Sequence, residues 1–364
     1  MTSESSSAFG RNEFDFDRVF DMKSQQKDVY DVAARPIIDS VLEGFNGTIF
    51  AYGQTSSGKT HTMQGPNIEN VELQGIIPRM VRTVFNRIDM SSEAMEFSVK
   101  VSMCEIYNER IRDLFDPTKD NLKIHEEKQK GVYIQDISER WVVGEREVFD
   151  LMAVGTSNRS ITATNMNAES SRSHSLFILT IIMNNTEDGS CKTGKLYLVD
   201  LAGSEKISKT GAVGQTLEEA KNINKSLTTL GKVIVALTDR KVSHIPYRES
   251  KLTRILSESL GGNAKTCLII TCSPHPFNDA ETLSTLRFGA RARNIKNAPK
   301  VNREYSVAEM KVLLNKAEEK IKGLTARNIA LAKKVQEMGG TVPSETELDK
   351  MGKAIAAIEE EKKQ

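Results

Sequence analysis

Apolar runs rich in β-branched and aromatic residues punctuate the chain at GTIFAY, FSVKVSMCEIY, SLFILTIIM, KLYLVDLAG and TCLIITCSP. Runs of this kind, bounded by polar or turn residues, predict strands buried in a sheet. Helical spacing of apolar residues marks QQKDVYDVAARPIIDSVLEG, GIIPRMVRTVFNRI, EVFDLMAVGTSNRSI, LEEAKNINKSLTTLGKVIVALTD and AETLSTLRFGARARNIKN. Strands alternating with helices predict an α/β domain of three layers, a central mixed sheet with helices on both faces, ending near Asn294.

Both ends depart from this pattern. Residues 1–13 are polar and Ser-rich and read as a disordered arm. From Met310 the apolar and small positions fall in a 4,3 rhythm: Leu314, Ala317, Ile321, Leu324, then Leu331, Val335 and Met338. Asn328 occupies one seam position, where a polar residue fixes register and two-strandedness. This seam predicts a coiled-coil neck over 306–338 and a homodimer; the competing reading is one amphipathic helix lying on the globular part. Gly339, Gly340 and Pro343 predict a hinge over 339–347, and 348–364 reads as a short charged helix.

Composition narrows the partners. The 364 residues suffice for one large domain with appendages, and 50 basic against 49 acidic residues leave a net charge of +1. That balance excludes a general nucleic-acid binder, so an anionic partner must be met by a local patch. Cys104, Cys191, Cys267 and Cys272 form no CxxC pair, which reads as reduced, buried thiols and a cytoplasmic protein. No apolar run approaches the ~20 residues of a membrane span, and the start lacks an apolar signal region, so no membrane insertion is expected.

The chemistry concentrates in three segments. Gly53, Gly58, Lys59 and Thr60 satisfy G-x-x-x-x-G-K-[ST] directly after GTIFAY, with Gln54, Thr55, Ser56 and Ser57 forming the turn. A loop leaving a strand and opening a helix points backbone N–H groups at phosphates. Lys59 then reaches the β and γ phosphate oxygens, and the Thr60 hydroxyl binds Mg²⁺. In KLYLVDLAGSE, Asp200 ends a strand where it can hold the metal through water, and Gly203 offers a backbone N–H to the terminal phosphate. The bland reading of Asp200 is a turn aspartate after a buried strand. In NMNAESSRSHS, Ser170, Ser171, Arg172, Ser173 and His174 share a polar loop whose hydroxyls can complete the metal shell and orient a water.

Taken in this order, GQTSSGKT, NMNAESSRSHS and DLAGSE resemble the P-loop, switch I and switch II of the kinesin motor domain. The likeness continues through FDRVF, EEAKNINKSLTTLG, IPYRESKLTRIL, LGGNAKT and ETLSTLRFGARARNIKN, covering about residues 14–305. The wording resembles the conventional, plus-end-directed branch in its fungal form. The resemblance implies domains at 14–294 (motor), 295–305 (neck linker) and 306–338 (neck). It also implies that Lys59, Thr60, Ser171 and Asp200 serve phosphates and magnesium, with Ser170 near the attacking water. Arg172 and Glu205 are implied as a salt bridge closing the switches on ATP, which a charged fork formed only in the closed state can do. His61 is implied against adenine, although a plain helix residue fits its place as well.

The implied partner is the acidic microtubule, met by Lys206, Lys209, Lys221, Lys225, Arg248 and Lys251, with Lys128 and Lys130 as weaker candidates. Without the resemblance such charges read as a solvated face. Ile295 is implied as the linker's docking residue and Asn302 as its latch. The function implied is a microtubule-stimulated ATPase that moves toward plus ends for intracellular transport, associated with the cytoplasmic cytoskeleton. One departure stands out: the family's opening strand with its R-x-R-P motif has no counterpart before FDRVF, which predicts an exposed sheet edge. The alternative function is therefore a nucleotide-regulated microtubule-binding or dimerisation module with impaired motility. A GTPase reading lacks an N-K-x-D segment.

Overall fold

The computed structural model describes residues 12–127, 131–165, 172–205, 215–239, 241–242, 244–304 and 307–339. The first helical run divides into α1 (Gln26–Val29), a π-helical turn (Tyr30–Ala34) and α2 (Arg35–Leu42). Pro36 has no N–H to give to an upstream carbonyl, and the chain answers by widening: the Arg35 N–H donates to the Tyr30 carbonyl instead. Next come β1 (Asn46–Tyr52), α3 (Lys59–Met63), α4 (Ile76–Asp89) and the long strand β2 (Met95–Tyr107). Four short strands follow, β3 (Arg110–Asp113), β4 (Ile124–Glu127), β5 (Gly131–Ile134) and β6 (Arg140–Val142), then α5 (Glu145–Asn165), β7 (His174–Asn185) and β8 (Cys191–Asp200). The remainder is α6 (Gln215–Thr238), α7 (Lys251–Ile255), β9 (Lys265–Ile270), α8 (Asp279–Ala292), β10 (Arg303–Glu304) and α9 (Val307–Glu337).

The main sheet runs β3-β2-β7-β8-β1-β9, with β6 beside β2 and β10 beside β8. Strands β2, β7 and β8 are mutually antiparallel, whereas β8, β1 and β9 are parallel, which makes the sheet mixed. The period of two along each strand sorts the core into two layers. Ile49 and Ala51 join Leu196, Leu198, Phe177 and Val101 under α2, α4 and α5. Phe50 and Tyr52 turn the other way and join Val199, Leu176 and Ile106 under α6, α7 and α8. Each fully buried side chain of this size contributes about 1.5–3 kcal/mol, so both faces are firmly held. The three-layer expectation is met.

Among the described residues no strand lies outside β9, and all six of its residues are only half-buried. The short segment before α1 lies instead against α8: Arg293 pairs with Asp15 at 2.7 Å and Asp17 at 3.3 Å. The chain divides into two compact units, Met1–Glu304 and Tyr305–Gln364. In the second, α9 is one continuous helix whose seam residues Met310, Leu314, Ile321, Leu324 and Leu331 are each more than half exposed, with Val335 half-buried. The arm at 1–11 and the hinge and terminal helix from Gly340 onward lie outside the described residues.

Candidate functional site

Strand register builds the site. The parallel pairing of β1 with β8 sets Ala51 opposite Asp200, so the acid ending β8 arrives beside the mouth of the loop leaving β1. Ligands in open α/β sheets bind at such carboxyl ends of parallel strands. Gly58 adopts φ +101°, a left-handed conformation that a side chain would strain, and α3 begins at the next residue. Lys59 is buried, and its Nζ donates to the carbonyls of Gly53 at 2.9 Å and Gln54 at 2.7 Å. Burial lowers its pKa, opposed by Asp200 and Glu205 and reinforced by Arg159. A desolvated ammonium resting on two neutral carbonyls is poised for a stronger, anionic partner.

The metal expectation meets a direct test here. The Thr60 hydroxyl donates to Asp200 Oδ2 at 2.6 Å, while Asp200 Oδ1 is buried without a hydrogen-bond partner. A hydroxyl and an orphaned carboxylate oxygen are the hard donors Mg²⁺ takes, so the residues fit the ion.

The Gly203 segment folds back onto the loop. The Ser204 N–H donates to the Gly53 carbonyl at 3.1 Å. Glu205 accepts from the Thr55 N–H at 2.8 Å and the Thr55 hydroxyl at 2.5 Å. A side chain on Gly203 would meet the Thr55 hydroxyl and the Glu205 carboxylate, so it would have to displace the bonds between them. Both Glu205 oxygens are thus engaged with the cradle in this structure. A latch with Arg172 would have to exchange those bonds.

Arg159 escaped the sequence reading, and His174, which that reading placed in a polar loop, is instead the buried first residue of β7. Arg159, from α5, lies 3.6 Å from Glu105 and 3.9 Å from Asp200, and donates to the Ser173 hydroxyl and carbonyl at 3.2 Å. It supplies the countercharge that lets two carboxylates sit inside the fold. His174, at the start of β7, is almost wholly buried, and its pKa falls to about 3, through burial first and then the charges of Arg159 and Lys59. An arginine in a helix of small residues and a histidine opening an apolar strand give no local signal of such contacts.

His174 yields a pH prediction. Its folded pKa lies below the ordinary 6.5, so the unfolded chain binds the extra proton and stability falls as pH drops from 6.5 toward 3. The slope from this residue approaches about 1.4 kcal/mol per pH unit. Urea unfolding of the wild-type protein and His174→Gln at pH 7 and pH 5 should show a smaller loss in the variant; equal losses would contradict the buried neutral ring.

Of the other expected site residues, Gln54, Ser56 and Ser57 lie in the loop, where Ser57 Oγ bonds Thr271 Oγ1 at 2.7 Å. His61 is exposed on α3, and its carbonyl accepts from Gln26 at 2.6 Å. Arg172 is half-buried just ahead of β7. Lys225 is exposed on α6, Lys251 is half-buried at the start of α7, and Arg248 is exposed but paired with Glu126 at 3.2 Å. Ser170, Ser171, Lys128, Lys130, Lys206 and Lys209 lie outside the described residues, as does the side chain of Lys221.

The profile of the family described as "Kinesin motor domain" matches residues 2–295. The chain belongs to the kinesin motor domain family. It is 61% identical over 313 residues to Kinesin-related protein 3 of Dictyostelium discoideum, covering 85% of this chain and 26% of that protein. It is 56% identical over 334 residues to the kinesin heavy chain of Neurospora crassa, covering 91% of this chain and 36% of that one. The chain therefore spans about a third or less of the length of these curated relatives. A solved structure described as that of a fast kinesin superposes with a TM-score of 0.77 at 59% identity, covering 81% of this chain and 84% of that one.

The kinesin domain closes with a segment pinned along its length. Ile295 packs, half-buried, against the second core layer. Asn297, which the sequence reading missed, donates to the Ser259 and Ala264 carbonyls and accepts from the Gly261 N–H at 2.7 Å. Asn302 donates from its side chain to Asn46 Oδ1 at 2.8 Å and the Thr193 carbonyl at 3.0 Å, and accepts from Asn263 at 3.2 Å. Its backbone bonds Gly44 and Thr193, and β10 then pairs with Lys192 and Cys191 of β8. Asn302→Ala removes the side-chain bonds and leaves the backbone pair. At about 1 kcal/mol net per bond, docking should weaken roughly tenfold or more. A distance probe between residue 303 and β8 would report release, and an unchanged docked population would contradict the latch.

The kinesin domain carries four free cysteines: Cys104 is buried, and Cys191, Cys267 and Cys272 are half-buried. Burial raises each thiol pKa, that of Cys267 to about 11, which keeps them in the unreactive thiol form. Among the described residues no helix is long and apolar enough to cross a membrane.

Proposed function

We propose that this chain is a microtubule-stimulated ATPase that converts ATP hydrolysis into plus-end-directed movement for intracellular transport. The observation that carries the reading is the meeting at one loop of Lys59, the Thr60–Asp200 pair and the Gly203–Glu205 turn. Each comes from a separate stretch of sequence, and together they match the requirements of phosphoryl transfer: a cradle, a metal-holding acid and a mobile segment at the terminal phosphate. The loop from Gly53 to Thr60 holds the phosphates, with His61 on the adenine side. Mg²⁺, when bound, neutralises phosphate charge, and Thr60, Ser171 and Asp200 are the residues to hold it. Ser170 orients the water, and Arg172 draws Glu205 from Thr55 when the switches close.

A path from this site to the linker supports the motor reading. Tyr52 ends β1 beside the cradle and stacks on Phe288 of α8, with ring centroids 3.8 Å apart and planes 6° from parallel. Helix α8 leads directly to Ile295 and the Asn302 latch. Lys206, Lys209, Lys221, Lys225, Arg248 and Lys251 form the microtubule footprint, and the pairing of Arg248 with Glu126 is weak enough at this exposure to be exchanged. The exposed seam of α9 supports a homodimer through the neck, in a protein associated with cytoplasmic microtubules.

A gliding assay tests this. Surface-bound protein should drive polarity-marked microtubules with their minus ends leading, and the attachment should weaken steeply as salt screens the footprint. Salt-sensitive attachment without movement would select the non-motile module instead. That module is the reading favoured by β9, outside which no strand lies among the described residues.

A further inference from the structure

His174 makes two bonds that fix its own chemistry. The Ala202 N–H donates to Nδ1 at 3.0 Å, and Nε2 lies 2.7 Å from Ser226 Oγ. A nitrogen that accepts from a peptide N–H carries a lone pair, so the proton of the neutral ring sits on Nε2 and Ser226 is the acceptor. Every polar position of the ring is therefore assigned. All the partners are buried: His174 and Ser226 are 2% and 3% exposed, and Ala202 is fully covered.

The location of these bonds gives them a second meaning. Ala202 directly precedes Gly203, the residue placed at the terminal phosphate. Ser226 lies on α6, whose Leu227, Leu230, Val233 and Ile234 pack in the second core layer. His174 itself opens β7, where its pairing with Ile106 of β2 anchors it in the sheet. One rigid ring thus joins a fixed strand, the segment ahead of Gly203, and a long helix. Movement of Gly203 must either strand a buried donor or be shared with the helix, and stranding it costs the full desolvation of that group.

We propose that His174 is a positioning residue that passes the position of the Gly203 segment to helix α6 through the Ala202–His174–Ser226 chain of hydrogen bonds. The inference rests on the nucleotide site described above and does not depend on filament binding. Three substitutions separate the bonds. His174→Asn keeps an oxygen where Nδ1 accepts from Ala202 and loses Ser226. His174→Gln keeps a donor toward Ser226 and loses the acceptor. Ser226→Ala removes the helix bond and leaves the Ala202 bond in place.

Amide hydrogen exchange of residues 227–238, measured in the full chain with Mg²⁺ and either ADP or a non-hydrolysable ATP analogue, reads the coupling. In the wild-type protein the two nucleotides should give different protection of this segment. Each single variant should lose that difference while binding both nucleotides and keeping its β8 amides protected. The double variant His174→Asn/Ser226→Ala should lose no more than either single one, because both act on one bond. A nucleotide-dependent difference that persists in His174→Asn and Ser226→Ala would overturn the junction. Failure of the wild-type protein to bind nucleotide, read by direct titration, would overturn the nucleotide site and the junction with it.

Discussion

Replacing Lys59 with methionine is expected to lower ATP affinity about a hundredfold or more and to abolish turnover. The lysine is buried, and its ammonium rests on the loop, satisfied by two neutral carbonyls of that loop. Phosphate oxygens would replace those carbonyls with charge-assisted bonds worth about 1.5–3 kcal/mol each, and every 1.4 kcal/mol is about tenfold in affinity. Methionine keeps the length and volume but none of the donors. The free protein should not lose stability in proportion, because a desolvated charge whose pKa is already lowered gives way to an apolar chain. Calorimetric titration together with thermal unfolding separates the two effects. Affinity within a few-fold of wild type would remove Lys59 from the site.

Gly203→Ala should leave binding nearly unchanged and still slow turnover severely. The added methyl has no room between the Thr55 hydroxyl and the Glu205 carboxylate. The methyl is accommodated by turning the Glu205 carboxylate off the Thr55 N–H and hydroxyl, which loosens the Gly203 N–H from its place at the cradle. The cradle and Asp200 remain, so ATP affinity should change by less than about tenfold. Removing one donor aimed at developing charge typically costs about a hundred- to a thousandfold in rate, and the same loss is expected in the chemical step here. Single-turnover hydrolysis at saturating ATP measures it. A normal chemical step would show that this backbone N–H is not used.

The parts of the site that were legible in the sequence are those fixed by local rules. Strand β1, the glycine-bracketed loop and the start of α3 follow one another along the chain, so their joint geometry is written in one window. Asp200 was legible because the alternation in β8 stops at it and β1 and β8 are both apolar enough to pair centrally. The 4,3 rhythm of α9 was likewise visible from spacing alone. What stayed hidden depends on partners far away in sequence. Glu205 bonding Thr55, Arg159 between Glu105 and Asp200, and His174 bridging Ala202 and Ser226 each join separate elements, and no residue in those pairs has an unusual neighbourhood of its own. Asn297 was hidden for the same reason, being one polar residue among many in a linker until the turn at Gly261 comes to meet it. The short strands β3 to β6 are too brief for a period of two to stand out. The π-helical turn before Pro36 was read as unbroken helix because apolar spacing does not register a single widened turn.

The half-buried face of β9 should gain cover if a family-like strand is added ahead of Phe14, and thermal stability should rise with it. Asn297 and Asn302 hold the segment after α8 to the core.

The central claim is that the loop at Gly53–Thr60, Asp200 and the Gly203 segment form one ATP-hydrolysing site answering to microtubules. Steady-state ATP turnover of the purified chain, with and without polymerised tubulin in low salt, tests it most directly. Turnover should be slow alone and rise with microtubule concentration to a plateau. A rate that does not change as microtubules are added, in protein shown to bind both ATP and the filament, would contradict it.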